Sequence, residues 1–315
     1  MFTKKSLYYL LFFVFTMALP SVIQDRYFLH ITITCGIYVI VASSLNLVVG
    51  QMGYISFGHN ALYGIGAYSS GLLMRSADFP FLIALPVSAL LAGITGLIVG
   101  YFPLRLRLKG PYFALVTMAL GLVIVSVIHN WVSLTGGPLG LTSVPPPVIF
   151  GIKFGQRQNY YYLVMVLAWA SIYFIHRLMN SPVGRKFVSI REDEEMAETI
   201  GVNVVFYKNL CFIISAIMTG AAGSLYAHYS RFLGPDMFSI MEATDMLIMV
   251  IIGGMGTLLG PIIGAIIIVI LPELLRGLAE YRQVIYSFML IFTIMFVPKG
   301  TIGLWNLTKE KLVGS

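Results

Sequence analysis

Apolar runs long enough to cross a lipid bilayer follow one another along almost the whole chain. They lie near residues 6–23, 29–49, 56–74, 80–102, 111–130, 159–177, 208–230, 237–253, 257–275 and 283–297. About 20 residues of helix cross the hydrocarbon core of a bilayer, and a helix satisfies its own backbone hydrogen bonds in lipid. The ten runs therefore predict an all-α polytopic membrane protein with about ten transmembrane helices.

Composition leaves little room for a soluble domain. Charged residues make up only 10% of the 315 residues, against about 25% in a typical soluble domain. We therefore expect a single transmembrane domain over residues 1–315, with one charged segment, residues 181–208, within it. The net charge of +7 is explained by basic residues at the edges of the membrane.

Two of the runs are weaker candidates for a complete span. Run 237–253 contains Glu242 and Asp245, and run 257–275 contains two prolines, so either can be a re-entrant or broken helix. The two acids are three residues apart and share one face of a helix. They are predicted near the outer end of their span, where they either line a polar cavity or are exposed at the interface.

The basic residues predict which side of the membrane each loop occupies. If the N-terminus is inside, 13 of the 20 Lys and Arg residues fall in inside segments and 7 in outside segments. Cytoplasmic loops carry the excess of basic residues. Both termini, and the charged segment between the sixth and seventh runs, are therefore predicted to be cytoplasmic.

The charged segment holds five of the 13 acidic residues and four basic residues. Ser189 and Glu192 have the spacing of a capping box that opens a helix, and three acids in its first turn suit the positive end of the helix dipole. Gly201 would end this helix. The prediction is a helix of about 11 residues, roughly 16 Å long.

Such a helix is too polar to enter a bilayer and too short to form a domain. We interpret it as a docking element presented to another protein, with Met196, Ala197 and Ile200 as a small apolar patch on one side. The alternative is a solvated surface helix that only links two spans.

Motifs for enzymatic chemistry are absent from the sequence. It contains no G-x-x-x-x-G-K-[ST] nucleotide loop and no G-x-S-x-G elbow. No histidine starts an H-E-x-x-H motif or pairs with a cysteine at metal-ligand spacing, and Cys35 and Cys211 lie in apolar runs. We expect no enzymatic activity, no metal site and no cofactor bound by this chain.

Polar residues inside the apolar runs are candidates for a translocation path. The stretch Gly50–Ser56 interrupts the helical pattern, and irregular backbone at membrane depth is tolerated only where protein buries it or where it lines a cavity. A weak echo of this break occurs at Gly253–Gly256, as a parallel repeat or by chance. The candidates are Asn46, Gln51, Ser56, His59, Asn60, Tyr63, Glu242 and Asp245. The alternative is that these side chains only form hydrogen bonds between helices.

Five segments together resemble a known family. They are SLNLVVGQMGYISFGHNALYGIGAYSSGLL (44–73), LRLKGPYFALVTMALG (106–121), TGGPLGL (135–141), GRKFVSIREDEEMAETIGVNVVFYK (184–208) and GGMGTLLGPIIGA (253–265). They are similar to the signature of the branched-chain amino-acid ABC transporter permeases (the LivH/LivM permease family), and most similar to its LivM type. The resemblance covers nearly the whole chain after Leu29.

The resemblance implies a type II importer-like permease in a heteromeric complex in the cytoplasmic (inner) membrane of a bacterium or archaeon. A second homologous permease subunit, two cytoplasmic ATPase subunits carrying ATP and Mg, and an extracytoplasmic substrate-binding protein would complete it. The implied substrates are Leu, Ile and Val; urea, short amides or another small neutral solute would suit the same architecture. A secondary transporter that needs no ATPase is a further alternative, but it should carry paired charges at mid-membrane.

In such importers the cytoplasmic segment between the sixth and seventh spans docks in a cleft of the ATPase. The charged segment occupies this place, and Tyr207 and Lys208 fit the cytoplasmic start of the seventh span. By resemblance, the ATPase-coupling residues are Arg185, Arg191, Glu192, Asp193, Glu194, Ala197 and Gly201.

Overall fold

The structure is a computed structural model that describes residues 25–274 without interruption, together with residues 13–14, 16–20, 281, 284–285, 287–288 and 291. Within residues 25–274 the chain is helical apart from its loops and four two-residue strands. The all-α architecture is therefore confirmed. The first and last predicted runs, 6–23 and 283–297, lie largely outside the described residues.

The helices and strands are numbered here in chain order. The helices are α1 (Arg26–Asn46), α2 (His59–Ser76), α3 (Phe81–Arg105), α4 (Pro111–Asn130), α5 (Val132–Thr135), α6 (Arg157–Met179), α7 (Pro182–Glu192), α8 (Glu194–Thr199), α9 (Val204–Ser230), α10 (Ile240–Gly253) and α11 (Gly260–Leu274). A π-helical turn, Leu47–Gln51, extends α1, and 3-10 turns cover Gly137–Leu139 and Pro235–Phe238. Strand β1 (Leu141–Thr142) pairs antiparallel with β4 (Phe232–Leu233), and β2 (Val148–Ile149) pairs with β3 (Ile152–Lys153).

Five helices of the described part are long and apolar enough to span a membrane. They are α1 with its π-helical turn, α3, α4, α6 and α9. All five coincide with predicted runs. Local signals fix where they begin: the carboxylate of Asp25 accepts a hydrogen bond from the Tyr27 amide, and the side-chain oxygen of Asn203 accepts one from the Phe206 amide. Both are N-cap interactions, which satisfy amides that the helix itself leaves free.

Helix α9 lies at the centre of the bundle and packs against α1, α2 and α3. Small residues make the close approach possible, as helix packing in lipid requires. A Cβ atom added to Gly66 on α2 would lie 2.1 Å from the carbonyl oxygen of Gly220 on α9, so the two backbones are in direct contact. The middle of the bundle is therefore held by backbone-to-backbone packing.

Helix α10 is too short to cross a bilayer alone. It contains 14 residues, or about 21 Å, against a hydrocarbon core of about 30 Å. Helix α10 also starts inside the bundle, because the amide group of Asn60 binds the carbonyl oxygens of Phe238 and Ser239 directly before it. The run 237–253 is therefore a broken span in which a non-helical stretch precedes a half-length helix.

Glu242 lies beside the middle of α1 with its π-helical turn. Tyr38 donates a hydrogen bond to the carboxylate of Glu242, and Tyr38 lies about 18 Å along α1 from Arg26. The helix Arg26–Gln51 has 26 residues, so this contact is level with its middle. The position of the two acids relative to the membrane surfaces stays a prediction.

Candidate functional site

The charged segment folds as two short helices, α7 and α8. The hydroxyl of Ser181 accepts a hydrogen bond from the Gly184 amide at 3.2 Å, and Pro182 occupies the first helical position of α7. The predicted capping box of Ser189 and Glu192 is therefore wrong. The hydroxyl of Ser189 donates to the carbonyl of Lys186 at 2.9 Å, within a helix that has already begun. Serine followed by proline is the stronger start signal, because proline at the first position loses no hydrogen bond.

Asp193 separates the two helices and caps the second one. Its backbone is extended, and its carboxylate accepts hydrogen bonds from the amides of Glu195 and Met196 at 2.9 and 3.0 Å. Helix α8 has 6 residues, not about 11, because the break at Asp193 divides the predicted helix. Gly201 follows it at φ +82°, a conformation that favours glycine, and the predicted stop signal is confirmed.

Glu194 points towards the membrane domain and not towards solvent. Its carboxylate lies 2.7 Å from the ammonium group of Lys208, accepts a hydrogen bond from the hydroxyl of Tyr54 at 2.6 Å, and lies 3.5 Å from the ammonium group of Lys109. The ammonium group of Lys208 also donates to the Tyr54 hydroxyl at 2.5 Å. We call these four residues the Glu194 cluster.

The Glu194 cluster is a partly buried ion pair. The side chain of Lys208 has no exposed surface and that of Glu194 is 11% exposed. Burial acts to raise the pKa of Glu194, but the hydrogen bonds from Lys208 and Tyr54 and the charges of Lys208 and Lys109 outweigh it, so the pKa lies below its ordinary value. The carboxylate therefore stays ionised. Lys208 as a partner is not predicted from the sequence, although a lysine at the first position of an apolar run, one turn into α9, signals that an acid lies nearby.

A second contact connects the charged segment to the break after α1. The guanidinium of Arg191 donates a hydrogen bond to the carbonyl oxygen of Gly50, in the π-helical turn. Gly50 also touches the break between α10 and α11, since a Cβ atom on it would lie 2.3 Å from the backbone nitrogen of Gly256. The two breaks that echo each other in sequence are therefore in contact.

Two of the predicted path residues hold these breaks together. The side chain of Asn46 donates to the carbonyl of Thr257 at 2.8 Å and accepts from the amide of Gly256 at 2.9 Å. The side chain of Gln51 donates to the carbonyl of Gly256 at 2.9 Å. Both side chains thus satisfy backbone groups that the breaks leave free.

The remaining coupling residues differ in where they face. Ala197 is buried with Ile190 and Val204 in a small apolar cluster that holds α8 against the rest of the chain. The predicted patch is therefore wrong for Ala197, whereas Met196 and Ile200, four residues apart, are 65% and 71% exposed. Arg185, Glu192 and Gly201 are also exposed.

Two of the path residues around α2 are hydrogen-bonded within the chain. The ring nitrogens of His59 lie 3.1 Å from the hydroxyl of Ser56 and 2.8 Å from that of Ser215. Asn60 binds backbone carbonyls before α10 as described above. Tyr63 is buried against Phe238, and its hydroxyl has no hydrogen-bond partner within the described residues. The bonds of His59 and Asn60 agree with the alternative of hydrogen bonding between helices, and a role in a path stays a prediction.

Glu242 and Asp245 line a cavity of about 250 Å³ together with Tyr38 and His30. A second cavity, of about 610 Å³, shares His30, Thr34 and Tyr38 with it. The shared residues are four apart and form one stripe along α1. Among the described residues, no group of three or more His, Cys, Asp or Glu side chains is arranged to hold a metal ion.

Comparison with known proteins places this architecture in a family. The family model described as "Branched-chain amino acid transport system / permease component" matches residues 27–297. The chain belongs to this permease family. The match includes both breaks, the charged segment and the described helices from Tyr27 onward, and it makes the chain a multi-pass transport subunit and not an enzyme.

Individual relatives agree with the family match. The permease is 32% identical to the protein named "High-affinity branched-chain amino acid transport system permease protein LivM" of Escherichia coli (strain K12), over 94% of this chain and 75% of the relative. It is 27% identical to the corresponding LivH protein of the same organism, over 84% and 91%, and 25% identical to a probable LivM protein of Methanocaldococcus jannaschii, over 76% and 79%. No solved structure matches the permease.

The Glu194 cluster predicts that two lysines near the same carboxylate differ in their effect on stability. Lys208→Ala leaves a partly buried carboxylate without its main partner, and we expect it to lower the free energy of unfolding by about 3 kcal/mol. Lys109→Ala removes a lysine that is 63% exposed, so we expect a loss below about 1 kcal/mol. Thermal unfolding of the two purified variants measures the difference, and equal losses would contradict the assigned burial.

Proposed function

We propose that this chain is one permease subunit of an ATP-driven importer that carries branched-chain amino acids across the cytoplasmic membrane of a bacterium or archaeon. The observation that carries the proposal is the family match over residues 27–297. The names of the LivM and LivH relatives support the substrate class. Two permease types among the relatives also support a complex in which a second, homologous permease completes the path.

The charged segment is the site proposed to bind the ATPase. Two cytoplasmic ATPase subunits would carry ATP and Mg, and an extracytoplasmic binding protein would deliver the substrate. The exposed side of α8 supports this role, because Met196 and Ile200 form an apolar patch on an otherwise polar helix. Closure of the ATPases on ATP would move α7 and α8, and the permease pair would then change between outward- and inward-facing states.

The location of the charged segment gives a test of topology. We propose that both termini and this segment are cytoplasmic, as the distribution of basic residues supports. A cysteine placed by Glu195→Cys should react with an impermeant maleimide only after the cells are permeabilised. Labelling of Glu195→Cys in intact cells would place the segment outside and contradict a cytoplasmic ATPase partner.

Transport by the assembled complex tests the substrate. The chain is reconstituted into proteoliposomes with its companion permease, ATPases and binding protein. We expect ATP-dependent uptake of labelled leucine and no uptake of labelled urea above the background without ATP. Uptake of urea and not of leucine would show that the complex imports a different substrate. Leucine uptake without any ATPase would indicate a secondary transporter.

The exposed patch of α8 gives a test of docking. The double variant Met196→Asp, Ile200→Asp places two charges on the patch, and we expect it to reduce co-purification of the ATPase by about tenfold, since it desolvates charge at an apolar contact. The chain itself should keep its thermal stability, because both positions are exposed. Val188→Asp on α7, also exposed, is the matched control outside the patch. If the double variant co-purifies as much ATPase as the unaltered chain, the docking surface lies elsewhere.

A further inference from the structure

Two polar contacts of the charged segment reach the region of the helix breaks, while a third, the salt bridge between Glu198 and Arg107, lies at the exposed surface. Glu194 contacts Lys208 on α9 and Tyr54 in the break before α2. Arg191 contacts Gly50 in the π-helical turn after α1. Both residues are predicted to act in ATPase coupling, but their hydrogen bonds within the described chain are made to the membrane domain, although Arg191 itself is exposed.

We propose that Arg191 and Glu194 are positioning residues that transmit movement of the charged segment to the two helix breaks, and do not themselves bind the ATPase. The proposal rests on the proposed function, in which an ATPase moves this segment. It divides the segment into an outer side that meets the partner and an inner side that acts on the membrane helices.

The Glu194 contact reaches the start of α2 by two routes. Tyr54 lies in the non-helical stretch directly before α2. Lys208 belongs to α9, and about 10 Å further along that helix the hydroxyl of Ser215 binds the ring of His59, the first residue of α2. A displacement of Glu194 therefore acts on the N-terminal end of α2 through both residues.

The Arg191 contact reaches α10. The carbonyl that Arg191 binds belongs to Gly50, which packs directly on Gly256 in the break after α10. The other end of α10 carries Glu242, about 16 Å from Gly253. Because Glu242 lines the cavity of about 250 Å³, movement at the cytoplasmic break reaches a polar cavity.

The elements that Arg191 and Glu194 contact indicate that these residues transmit movement and do not only hold the charged segment in place. The apolar cluster of Ile190, Ala197 and Val204 already holds the segment in place. The Arg191 contact ends on a π-helical turn, and one of the two main partners of Glu194, Tyr54, lies on non-helical backbone. Such irregular segments are the parts of a helical bundle that can change conformation at least cost. Because Tyr54 lies just before α2 and Gly50 packs on Gly256 just after α10, one movement acts on α2 and α10 together.

The experiment measures leucine imported per ATP hydrolysed in the reconstituted complex. The variants are Glu194→Gln and Arg191→Gln, and the matched control is Glu195→Gln, which makes the same change at the exposed neighbouring position. We expect the import-to-hydrolysis ratio to fall about fivefold or more in both variants, the lower end of coupling between distant sites. The control should keep its ratio within about twofold, and all three should retain the ATPase.

The ratio separates transmission from a purely structural role. A structural defect lowers the amount of assembled complex, so import and hydrolysis fall together and the ratio is unchanged. An unchanged ratio in Glu194→Gln and Arg191→Gln would overturn the proposal. If Glu194→Gln does not assemble, Tyr54→Phe decides, because it removes one hydroxyl from the Glu194 cluster: a lowered ratio supports transmission and an unchanged one overturns it.

Failure of the proposed function would look different. In that case the unaltered chain itself would fail to retain the ATPase or would show no ATP-dependent import. Failure of this inference alone leaves the unaltered complex active and makes Glu194→Gln indistinguishable from Glu195→Gln.

Discussion

Backbone groups released by a break in a membrane helix must find partners inside the protein, and this constraint governs the described structure. A buried backbone group without a partner costs free energy comparable to a lost hydrogen bond. The chain breaks its helices after α1 and after α10, and side chains from other elements satisfy the freed groups: Asn46 and Gln51 bind the second break, and Arg191 binds the first. The two helix breaks therefore contact each other, at Gly50 and Gly256.

The same constraint explains the ion pair beneath the charged segment. A lysine buried at the end of an apolar helix is costly unless a carboxylate and further hydrogen bonds compensate its charge. Lys208 has Glu194 and Tyr54 at hydrogen-bonding distance, and these belong to two different parts of the chain. The pair therefore fixes how the charged segment sits on the bundle, because an ion pair with hydrogen bonds allows fewer arrangements than an apolar contact of similar size. The hydrogen bonds of the pair are directional, so a displacement of Glu194 acts on Lys208 and Tyr54.

The hydrophobic runs of the sequence predict where the long helices lie. They do not predict which way the side chains of the charged segment face. Hydrophobic length locates the five long spans, because about 20 apolar residues of helix are needed to cross the hydrocarbon core. Gly201 ends α8 as predicted, since only its own backbone conformation is involved. The capping box at Ser189 is wrong because an equally local signal eight residues earlier starts the helix first. Ala197 and Glu194 face inward for tertiary reasons, since Val204 and Lys208 lie beneath them. The contact between Glu242 and Tyr38 depends on how the chain re-enters the bundle before α10, which hydropathy does not record.

The two sides of the segment around α8 differ in how far the rest of the chain constrains them. Met196 and Ile200 are largely exposed, whereas Glu194 and Ala197 contact residues elsewhere in the chain. Substitutions on the exposed side therefore leave the inner contacts unchanged. With the docking proposed above, a permease of this kind would adapt to a different ATPase over evolutionary time by altering a few surface residues.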